Sequence, residues 1–240
     1  MSNAFITRLD RTSELGNADR VRLEDLFAEP LQASAGADLI RENERPEHVH
    51  FVLEGYAYRY KMLSDGSLSI MALLIPGDLC DMHVAILGKM DHSIAAMTDC
   101  RLVRVARDDL LKLIEDHPRL NRALWWATLV DEAILREWIV GLGHRSAESR
   151  FAHLICELHR RFESIDRIDD GGFPFPLTQE QIGSVLGITS VYANRIVQRF
   201  RRNGLITLEG RWLRVEPLGA LEDHGDFDAN YLHLEGPVLN

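Results

Sequence analysis

The sequence predicts an α+β fold made of a β-roll, a long helix and a carboxyl-terminal winged helix-turn-helix. Three observations predict this architecture. Short β-type segments punctuated by glycine run from about residue 31 to 108. An uninterrupted helical pattern follows Pro118. Between residues 177 and 215, two short helical segments joined by a glycine turn precede a hairpin pattern.

The composition is that of an ordinary globular protein, and the chain is long enough for two domains. Its 240 residues are 46% hydrophobic and 27% charged,. No run approaches the roughly 20 apolar residues of a membrane-spanning helix, and the start MSNAFITRLDRTSEL lacks the apolar core of a secretory signal,. Cys80, Cys100 and Cys156 show no C-x-x-C spacing, so they indicate neither a disulfide framework nor a structural zinc site,. We therefore expect a cytoplasmic, reduced protein without a membrane partner.

The charge is distributed unevenly along the chain. The net charge is −10, which at first sight disfavours a polyanionic partner,. The local distribution decides whether DNA can dock, however, and acidic residues concentrate near residues 166–170 and 222–228,. Opposed only by Glu209, a basic stretch between residues 189 and 214 holds Arg195, Arg199, Arg201, Arg202, Arg211 and Arg214.

Residues 1–117 form the predicted amino-terminal sensor domain. A short helical pattern ends before Pro30, and the segments VHFVLEG, YAYRYKML, LSIMALLI and CRLVRVA follow as predicted strands. Asp65-Gly66 between two of these segments is a strong hairpin signal,. Short strands at roughly 8–12-residue spacing predict a small β-barrel or roll.

Residues 118–144 form the predicted dimerisation helix and hinge. Two apolar stripes run along this helix, and a helix that is apolar on two sides must bury both. One stripe can lie on the roll, and the other needs a partner, most simply a second copy related by a two-fold axis. The alternative is a core helix wholly inside one domain. Gly141 and Gly143 mark the predicted hinge, and Ser146 begins a further helix to about Phe162. The stripe assigned to the dimer contains Leu124, Leu135, Trp138 and Leu142.

Residues 145–217 contain the predicted helix-turn-helix and wing, with the motif at LTQEQIGSVLGITSVYANRIVQRFRRNGLI, residues 177–206. Thr178 and Gln181 predict a capping box, Gly187 permits the turn, and Thr189 can cap the second helix,. That helix is amphipathic with polar donors outward, which is typical of a recognition helix in the DNA major groove. A hairpin with a basic tip at Arg211 follows as the wing. Residues 218–240 form an acidic tail, either a loose appendage or a segment that packs on the partner.

On these motifs, the chain resembles the CRP/FNR superfamily of bacterial transcription regulators. The resemblance covers about residues 20 to 216, is strongest in 177–206, and is supported by VLEG, PGDL and the roll spacing. It implies a homodimer with a cyclic-nucleotide-binding-like β-roll that senses a signal. It also implies a near-palindromic operator in double-stranded DNA, and RNA polymerase is a further candidate partner.

The resemblance assigns roles on the recognition helix. Arg195 matches the family's usual residue, and arginine is the commonest reader of guanine in the major groove,. Ser190 and Val191 stand where the best-known members carry an Arg-Glu pair, so the operator should differ from theirs. For the arginines at 199, 201 and 202, the alternative is a solvated helix face. The base-reading positions are Ser190, Val191, Asn194 and Arg195, and the expected phosphate contacts are Thr189, Tyr192, Gln198, Arg199 and Arg211,.

The signal at the roll stays open. Family members that bind cyclic nucleotide hold its phosphate with a Glu and an Arg-Ser pair. In residues 77–96, His92-Ser93 replaces Arg-Ser, and the loss of a bidentate arginine argues against cAMP,. The absence of a cysteine cluster near the amino terminus argues against an iron–sulfur cluster. The candidate effector pocket comprises Asp78, Asp81, His83, His92 and Ser93.

Histidines in the roll imitate metal ligands. His48-Val49-His50 with Glu54 is similar to the motif of cupin metal enzymes, although that motif's flanking glycines are missing. His48 and His50 share one face of a strand. Together with His83 they are the candidate ligands of a metal or haem. The alternative is that these imidazoles are only solvated or hydrogen-bonded. Cys80 is a candidate redox-sensitive thiol, which depends on its surroundings. No catalytic arrangement stands out, so we expect neither an enzyme nor a bound metal.

Our hypothesis is a homodimeric regulator in which a signal at the roll shifts the long helices and re-aims two recognition helices. Their half-sites should lie about one helical turn apart. Two alternatives belong to other classes: a cupin-like metal-binding enzyme with a degenerate helix-turn-helix, and a dimeric sensory module that has lost DNA binding.

Overall fold

The computed structural model describes residues 3–12, 15–82 and 84–236. The chain divides into two compact units. The first extends to Glu132 and takes in residues 233–236, and the second comprises Ala133–Leu232. Among the described helices, none combines the length and apolarity needed to cross a membrane.

The first unit is a β-roll with helices packed on it. Its helices are α1 (Ala4–Thr12), α2 (Asn17–Leu26), α3 (Val84–Leu87) and α4 (Arg107–Asp116). Its strands are β1 (Leu31–Ala33), β2 (Asp38–Ile40), β3 (His48–Glu54), β4 (Ala57–Met62), β5 (Leu68–Leu74), β6 (Ser93–Ala96) and β7 (Cys100–Ala106). They form two antiparallel sheets with strand orders β1-β7-β3 and β2-β6-β4-β5. The predicted roll is confirmed.

Strand β3 lies between two layers, and this explains why its sequence HVHFVLE does not alternate. On one side Val52 and Leu102 belong to a core cluster with residues of the second sheet. On the other side, Phe51 packs against Phe5 and Phe27, with ring centroids 4.9 Å from each. A strand covered on both faces buries successive residues, and residues 49–53 of β3 are all buried, His50 included,. Helix α2 ends before Pro30 as predicted, whereas α1 is an addition to the prediction.

The long helix α5 (Pro118–His144) begins at the predicted proline but ends later than predicted. It continues through Gly141 and Gly143, so the chain does not leave the helix at the glycines predicted to be a hinge. The helix stops before Ser146, whose hydroxyl accepts a hydrogen bond from Ser149 N at 3.1 Å and caps the next helix. Glycine inside a helix costs only about 1 kcal/mol relative to alanine, and a capping serine is the stronger boundary signal.

The exposed face of α5 also differs from the prediction. Leu124 is 1% exposed and packs in the core of the first unit, so its assignment to the dimer surface is wrong. Trp138 is half-buried, and its Nε1 donates to Glu157 Oε2 at 2.9 Å. Leu135 is also half-buried. The large apolar side chains that α5 exposes are Trp125, Leu129, Ile139, Val140 and Leu142.

The second unit is a winged helix-turn-helix, as predicted. Its helices are α6 (Ala147–Glu163), α7 (Gln179–Leu186), α8 (Ser190–Arg202) and α9 (Leu218–Gly225), followed by a 3-10 turn at Ala229–Leu232. The strands β8 (Gly172–Pro174), β9 (Ile206–Glu209) and β10 (Trp212–Val215) form one antiparallel sheet in the order β8-β10-β9. Phe151 of α6 meets Phe200 of α8 edge to face, with centroids 5.1 Å apart, and this contact anchors the recognition helix to the core.

The carboxyl-terminal segment packs on its own domain. Helix α9 lies against α6, and Leu221 and Leu232 are buried. The ring of Tyr231 stacks on His153 at 5.7 Å, and Arg160 pairs with Glu222 at 2.7 Å. Through Leu232, the segment is therefore not a loose appendage, and that expectation is wrong, whereas a contact with a partner stays a prediction. The acidic composition of this segment makes its apolar residues hard to recognise in the sequence, although they pack on α6.

Candidate DNA-binding surface

Local sequence signals build the helix-turn-helix. Thr178 Oγ1 accepts from Gln181 N at 3.2 Å, and Gln181 Oε1 accepts from Thr178 N at 2.9 Å, which confirms the capping box. Helix α7 ends at Gly187, whose φ of 64° is left-handed and suits glycine,. The Thr189 hydroxyl then accepts from Tyr192 N at 3.3 Å and caps α8. The turn is fixed by residues within a dozen positions of each other, so sequence alone predicts it.

Gly183 is a structural residue that the sequence reasoning missed. A Cβ at this position would lie 2.7 Å from the Ile188 carbonyl oxygen and 3.2 Å from Ser190 N. The start of α8 therefore approaches α7 closely only because position 183 lacks a side chain. A glycine four residues before the turn glycine is the available sequence signal.

Helix α8 separates its buried and exposed faces cleanly. Ser190, Asn194 and Arg195 are exposed, and Val191 is 63% exposed although it is apolar. An exposed row of donors and one methyl-bearing side chain at the amino-terminal end of a recognition helix matches what base edges require. The opposite face is fully buried and consists of Ala193, Ile196, Val197 and Phe200.

The five residues expected to contact phosphates differ in their solvent exposure and in the contacts that they already make within the chain. Arg211 is exposed in the turn between β9 and β10, and Tyr192 is 41% exposed. The Thr189 hydroxyl is engaged in the helix cap, and Gln198 is half-buried. Arg199 forms an ion pair with Glu148 of α6. For Arg199 to contact a phosphate, it would have to release this carboxylate.

The candidate effector residues are largely occupied by contacts inside the roll. Asp81 is fully buried. Its Oδ1 accepts a hydrogen bond from His50 N at 2.8 Å, and its Oδ2 lies 3.0 Å from His50 Nδ1. Asp78 accepts from Ile75 N at 2.7 Å and pairs with Arg8. Both carboxylates therefore hold the roll together in this conformation.

His92 and Ser93 are buried beside each other in the roll. His92 Nδ1 lies 2.6 Å from Asp91 Oδ1, and burial lowers the pKa of the His92 imidazole. Ser93 Oγ accepts from Glu42 N at 2.9 Å. His83 lies outside the described residues.

The metal and thiol candidates do not form a reactive centre in the part of the chain that is described. There, no three His, Cys, Asp or Glu side chains group as a metal would require. His50 is buried against Asp81, and Glu54 pairs with Arg101 at 3.0 Å. Burial raises the pKa of the Cys80 thiol well above its ordinary value, which suppresses the reactive thiolate. Burial therefore argues against the interpretation of Cys80 as a redox-sensitive thiol.

Arg59 is the second structural residue that the sequence reasoning missed. It is 6% exposed on β4 and donates to the carbonyl oxygens of Leu79 and Cys80 at 3.0–3.1 Å. Its Nη1 lies 2.6 Å from Asp131 Oδ2 on α5. A charged side chain thus ties the loop of the candidate effector region to the long helix.

Comparisons with known proteins match both units. The cyclic nucleotide-binding domain family model matches residues 30–117, and the Crp-like helix-turn-helix domain model matches residues 149–224. Transcriptional activator protein FnrL of Cereibacter sphaeroides is 28% identical over 182 residues, which cover 74% of this chain and 72% of that protein. Nitrogen fixation regulation protein FixK of Bradyrhizobium diazoefficiens is 26% identical over 175 residues, 73% of each chain.

Solved structures agree on the fold. FixK2 from Bradyrhizobium japonicum superposes with a TM-score of 0.73 at 24% identity, covering 81% of this chain and 96% of that chain. The CRP-family regulator TTHB099 from Thermus thermophilus has a TM-score of 0.65 at 18% identity, covering 82% and 97%. A roll of the cyclic-nucleotide-binding type joined to a winged helix-turn-helix defines a DNA-binding transcription regulator. The chain belongs to the CRP/FNR superfamily. Its members are regulators rather than enzymes, so the cupin-like alternative is wrong.

Proposed function

We propose that the protein binds a near-palindromic operator as a homodimer, with α8 of each copy in one major groove. The observation that carries the proposal is the exposed row Ser190, Val191, Asn194 and Arg195 above a fully buried helix face. Because the buried face fixes the rotation of α8 in its domain, the polar row is the part available to base edges.

Each exposed side chain has a preferred base. Arginine forms two hydrogen bonds with guanine, asparagine can do the same with adenine, and an aliphatic group contacts the thymine methyl. Arg195, Asn194 and Val191 therefore favour a half-site containing guanine, adenine and thymine. Arg211, Tyr192 and Arg199 act on phosphates and set the register.

The exposed side of α5 supports a second copy as the partner. Trp125, Leu129 and Ile139 are 55%, 51% and 69% exposed. With exposed Glu132 and Arg136, they follow the alternating spacing of four and three residues that forms a coiled-coil seam,. Large apolar side chains at seam positions are unfavourable in water, and a parallel copy would bury them against their own counterparts.

The control of DNA binding starts at the roll in this proposal. Arg59 joins the loop around Leu79 and Cys80 to Asp131 of α5, so a ligand that moves this loop would also act on the helix. We place the regulator in the cytoplasm, where its DNA is, with RNA polymerase as the partner when it activates.

The test is selection of bound sequences from random duplex DNA at moderate salt, with wild type, Arg195→Ala and Arg45→Ala in parallel. Arg45 is an exposed arginine of the roll and serves as the matched control. We expect a two-fold-symmetric motif from wild type and from Arg45→Ala. Arg195→Ala should lose about 1–3 kcal/mol of binding free energy and its base preference at one position of the motif. Normal dimers that show no salt-dependent DNA affinity would instead identify a sensory module that has lost DNA binding.

A further inference from the structure

One buried carboxylate in the second unit joins three separate segments of the chain. Glu157 of α6 is 0% exposed. Its Oε2 accepts a hydrogen bond from Trp138 Nε1 on α5 at 2.9 Å and another from the Tyr231 hydroxyl of the carboxyl-terminal segment at 3.2 Å. Its Oε1 accepts from Arg161 Nη1, one turn further along α6, at 3.0 Å. The end of α5, helix α6 and the segment after α9 therefore meet at one side chain, and we call these four residues the Glu157 cluster.

The carboxyl-terminal segment makes further contacts at the junction of α5 and α6. Gly225, at the end of α9, lies so close to α6 that a Cβ there would stand 2.8 Å from His153 N. The Asp226 carbonyl oxygen accepts a hydrogen bond from Arg145 Nη2 at 3.3 Å. Arg145 Nη1 in turn lies 2.6 Å from Glu137 Oε1 on α5. The segment therefore holds the link between the two helices as well as α6 itself.

A buried carboxylate with three donors resists rearrangement of the helices around it. If the end of α5 moved away from α6, Glu157 would lose the Trp138 donor at a position closed to solvent, which is costly. A buried ion pair such as that of Glu157 and Arg161 adds little net stability, and its best-attested role is to select one arrangement of the surrounding elements. The Glu157 cluster therefore fixes the direction of the end of α5 against α6.

The cluster connects the proposed dimer seam to the recognition helix. Ile139 follows Trp138 in α5, is 69% exposed and belongs to the seam. On the other side of the cluster, Phe151 of α6 packs against Phe200 of α8. In a dimer, the direction of α5 against α6 consequently decides how far apart the two recognition helices lie. That distance decides which half-site spacing they can bind.

We propose that Trp138 and Tyr231 are positioning residues that set the half-site spacing of the operator through Glu157. Both lie outside residues 149–224, the range that the Crp-like helix-turn-helix model matches. The inference rests on the proposed function, because spacing has a meaning only for a dimer on two half-sites. The carboxyl-terminal segment thereby affects which operators the protein recognises, although it carries no residue of the recognition helix.

The test compares affinities for the selected operator, for operators with base pairs added or removed between the half-sites, and for one half-site alone. Trp138→Phe removes the indole donor and Tyr231→Phe removes only the hydroxyl, so each variant deletes one hydrogen bond to Glu157 Oε2. We expect each variant to bind the operator about tenfold more weakly and to lose most of the wild-type preference for one spacing. Affinity for the single half-site should change less than about twofold, because only binding at two half-sites depends on their separation.

The matched control is Tyr60→Phe in the first unit. It also deletes one hydroxyl hydrogen bond, to Asp38 at 2.8 Å, and should match wild type on every duplex.

The outcomes separate the two proposals. If wild type binds the operator no more tightly than one half-site, both the proposed function and this inference fail. If wild type prefers one spacing and both variants keep that preference, with circular dichroism showing them folded, only this inference fails. An equal loss of affinity on the operator and on the half-site would mean that the cluster maintains the DNA-binding domain rather than the spacing, and it would also overturn the inference.

Discussion

Arg59 on β4 and Asp131 on α5 form an ion pair of 2.6 Å within the first unit. Arg59 is 7% exposed at its side chain and Asp131 35%, so the pair spans from the interior of the roll to the surface of the helix. The same guanidinium holds the carbonyl oxygens of Leu79 and Cys80. The loop of the candidate effector region and the long helix therefore share one charged group.

Asp131→Asn should destabilise the first unit. The substitution removes the only ion-pair partner of Arg59 among the described residues and leaves a buried guanidinium without charge compensation. Breaking a buried pair costs several kcal/mol, but Asp131 is partly solvated, so we expect a loss of about 2 kcal/mol in the free energy of unfolding. Urea denaturation followed by circular dichroism measures it, with the exposed Glu115→Gln as control. Equal midpoints for both variants would show that solvent already compensates Arg59.

Ile139→Glu should convert the dimer to a monomer. Ile139 is 69% exposed on α5, so the change leaves the folded chain intact while placing two glutamates against each other at the two-fold axis,. Sedimentation equilibrium gives the mass, and operator affinity should fall together with it because two half-sites are no longer held by one molecule. Lys112→Glu on α4, also exposed, is the matched control. A dimer that survives Ile139→Glu would place the interface elsewhere.

The helix-turn-helix was predictable because its signals are local. Thr178 with Gln181, Gly187 and Thr189 all lie within a dozen residues, and the apolar spacing of α8 fixes its buried face. Arg59 was not predictable, since an arginine in a β-type segment indicates a solvated position. Only the fold brings it to Asp131, 72 positions away in the chain.

The exposed face of α5 was misjudged for a related reason. The helix carries apolar residues nearly all round, and periodicity alone does not say which stripe the chain buries itself. The roll core takes Leu124, whereas Trp125 is left exposed. The carboxyl-terminal segment was misjudged because its acidic composition hides Leu221 and Leu232, which pack on α6.

Glu148→Gln should strengthen binding to non-specific duplex DNA. Glu148 pairs with Arg199, so its removal frees one arginine for phosphate and deletes one negative charge near the groove. One more phosphate contact steepens the dependence of log affinity on log salt by about 0.9, and at low salt we expect a few-fold gain in affinity. Titration of a labelled random duplex at several salt concentrations measures both. The control Glu163→Gln, at the far end of α6, should change neither the affinity nor its salt dependence. Weaker DNA binding by Glu148→Gln would mean that the Glu148 carboxylate positions Arg199.

The stability of the second unit should fall in mildly acidic solution because of His153. Burial, assisted by the positive charge of Arg145, lowers the pKa of this imidazole, whose Nδ1 faces Gly225 O and whose Nε2 lies 3.1 Å from the Tyr231 hydroxyl. Because the folded-state pKa lies below the unfolded value of about 6.5, the unfolded chain takes up the proton first. The stabilisation is complete above pH 6.5 and is lost as the pH falls below it.

The groups around His153 decide how cleanly this effect can be measured. Glu137 lies 3.8 Å away, Asp226 also favours the protonated imidazole, and Tyr231 connects it to the buried Glu157. Burial raises the pKa of Glu157, so the contribution of Glu157 to stability falls as the pH rises above the ordinary pKa of a glutamate,. This trend is opposite to that of His153, whose contribution falls as the pH decreases. His153→Gln should flatten the fall in melting temperature between about pH 6.5 and 5. The exposed His144→Gln should retain that fall, and equal profiles for the two variants would assign the pH dependence to another group.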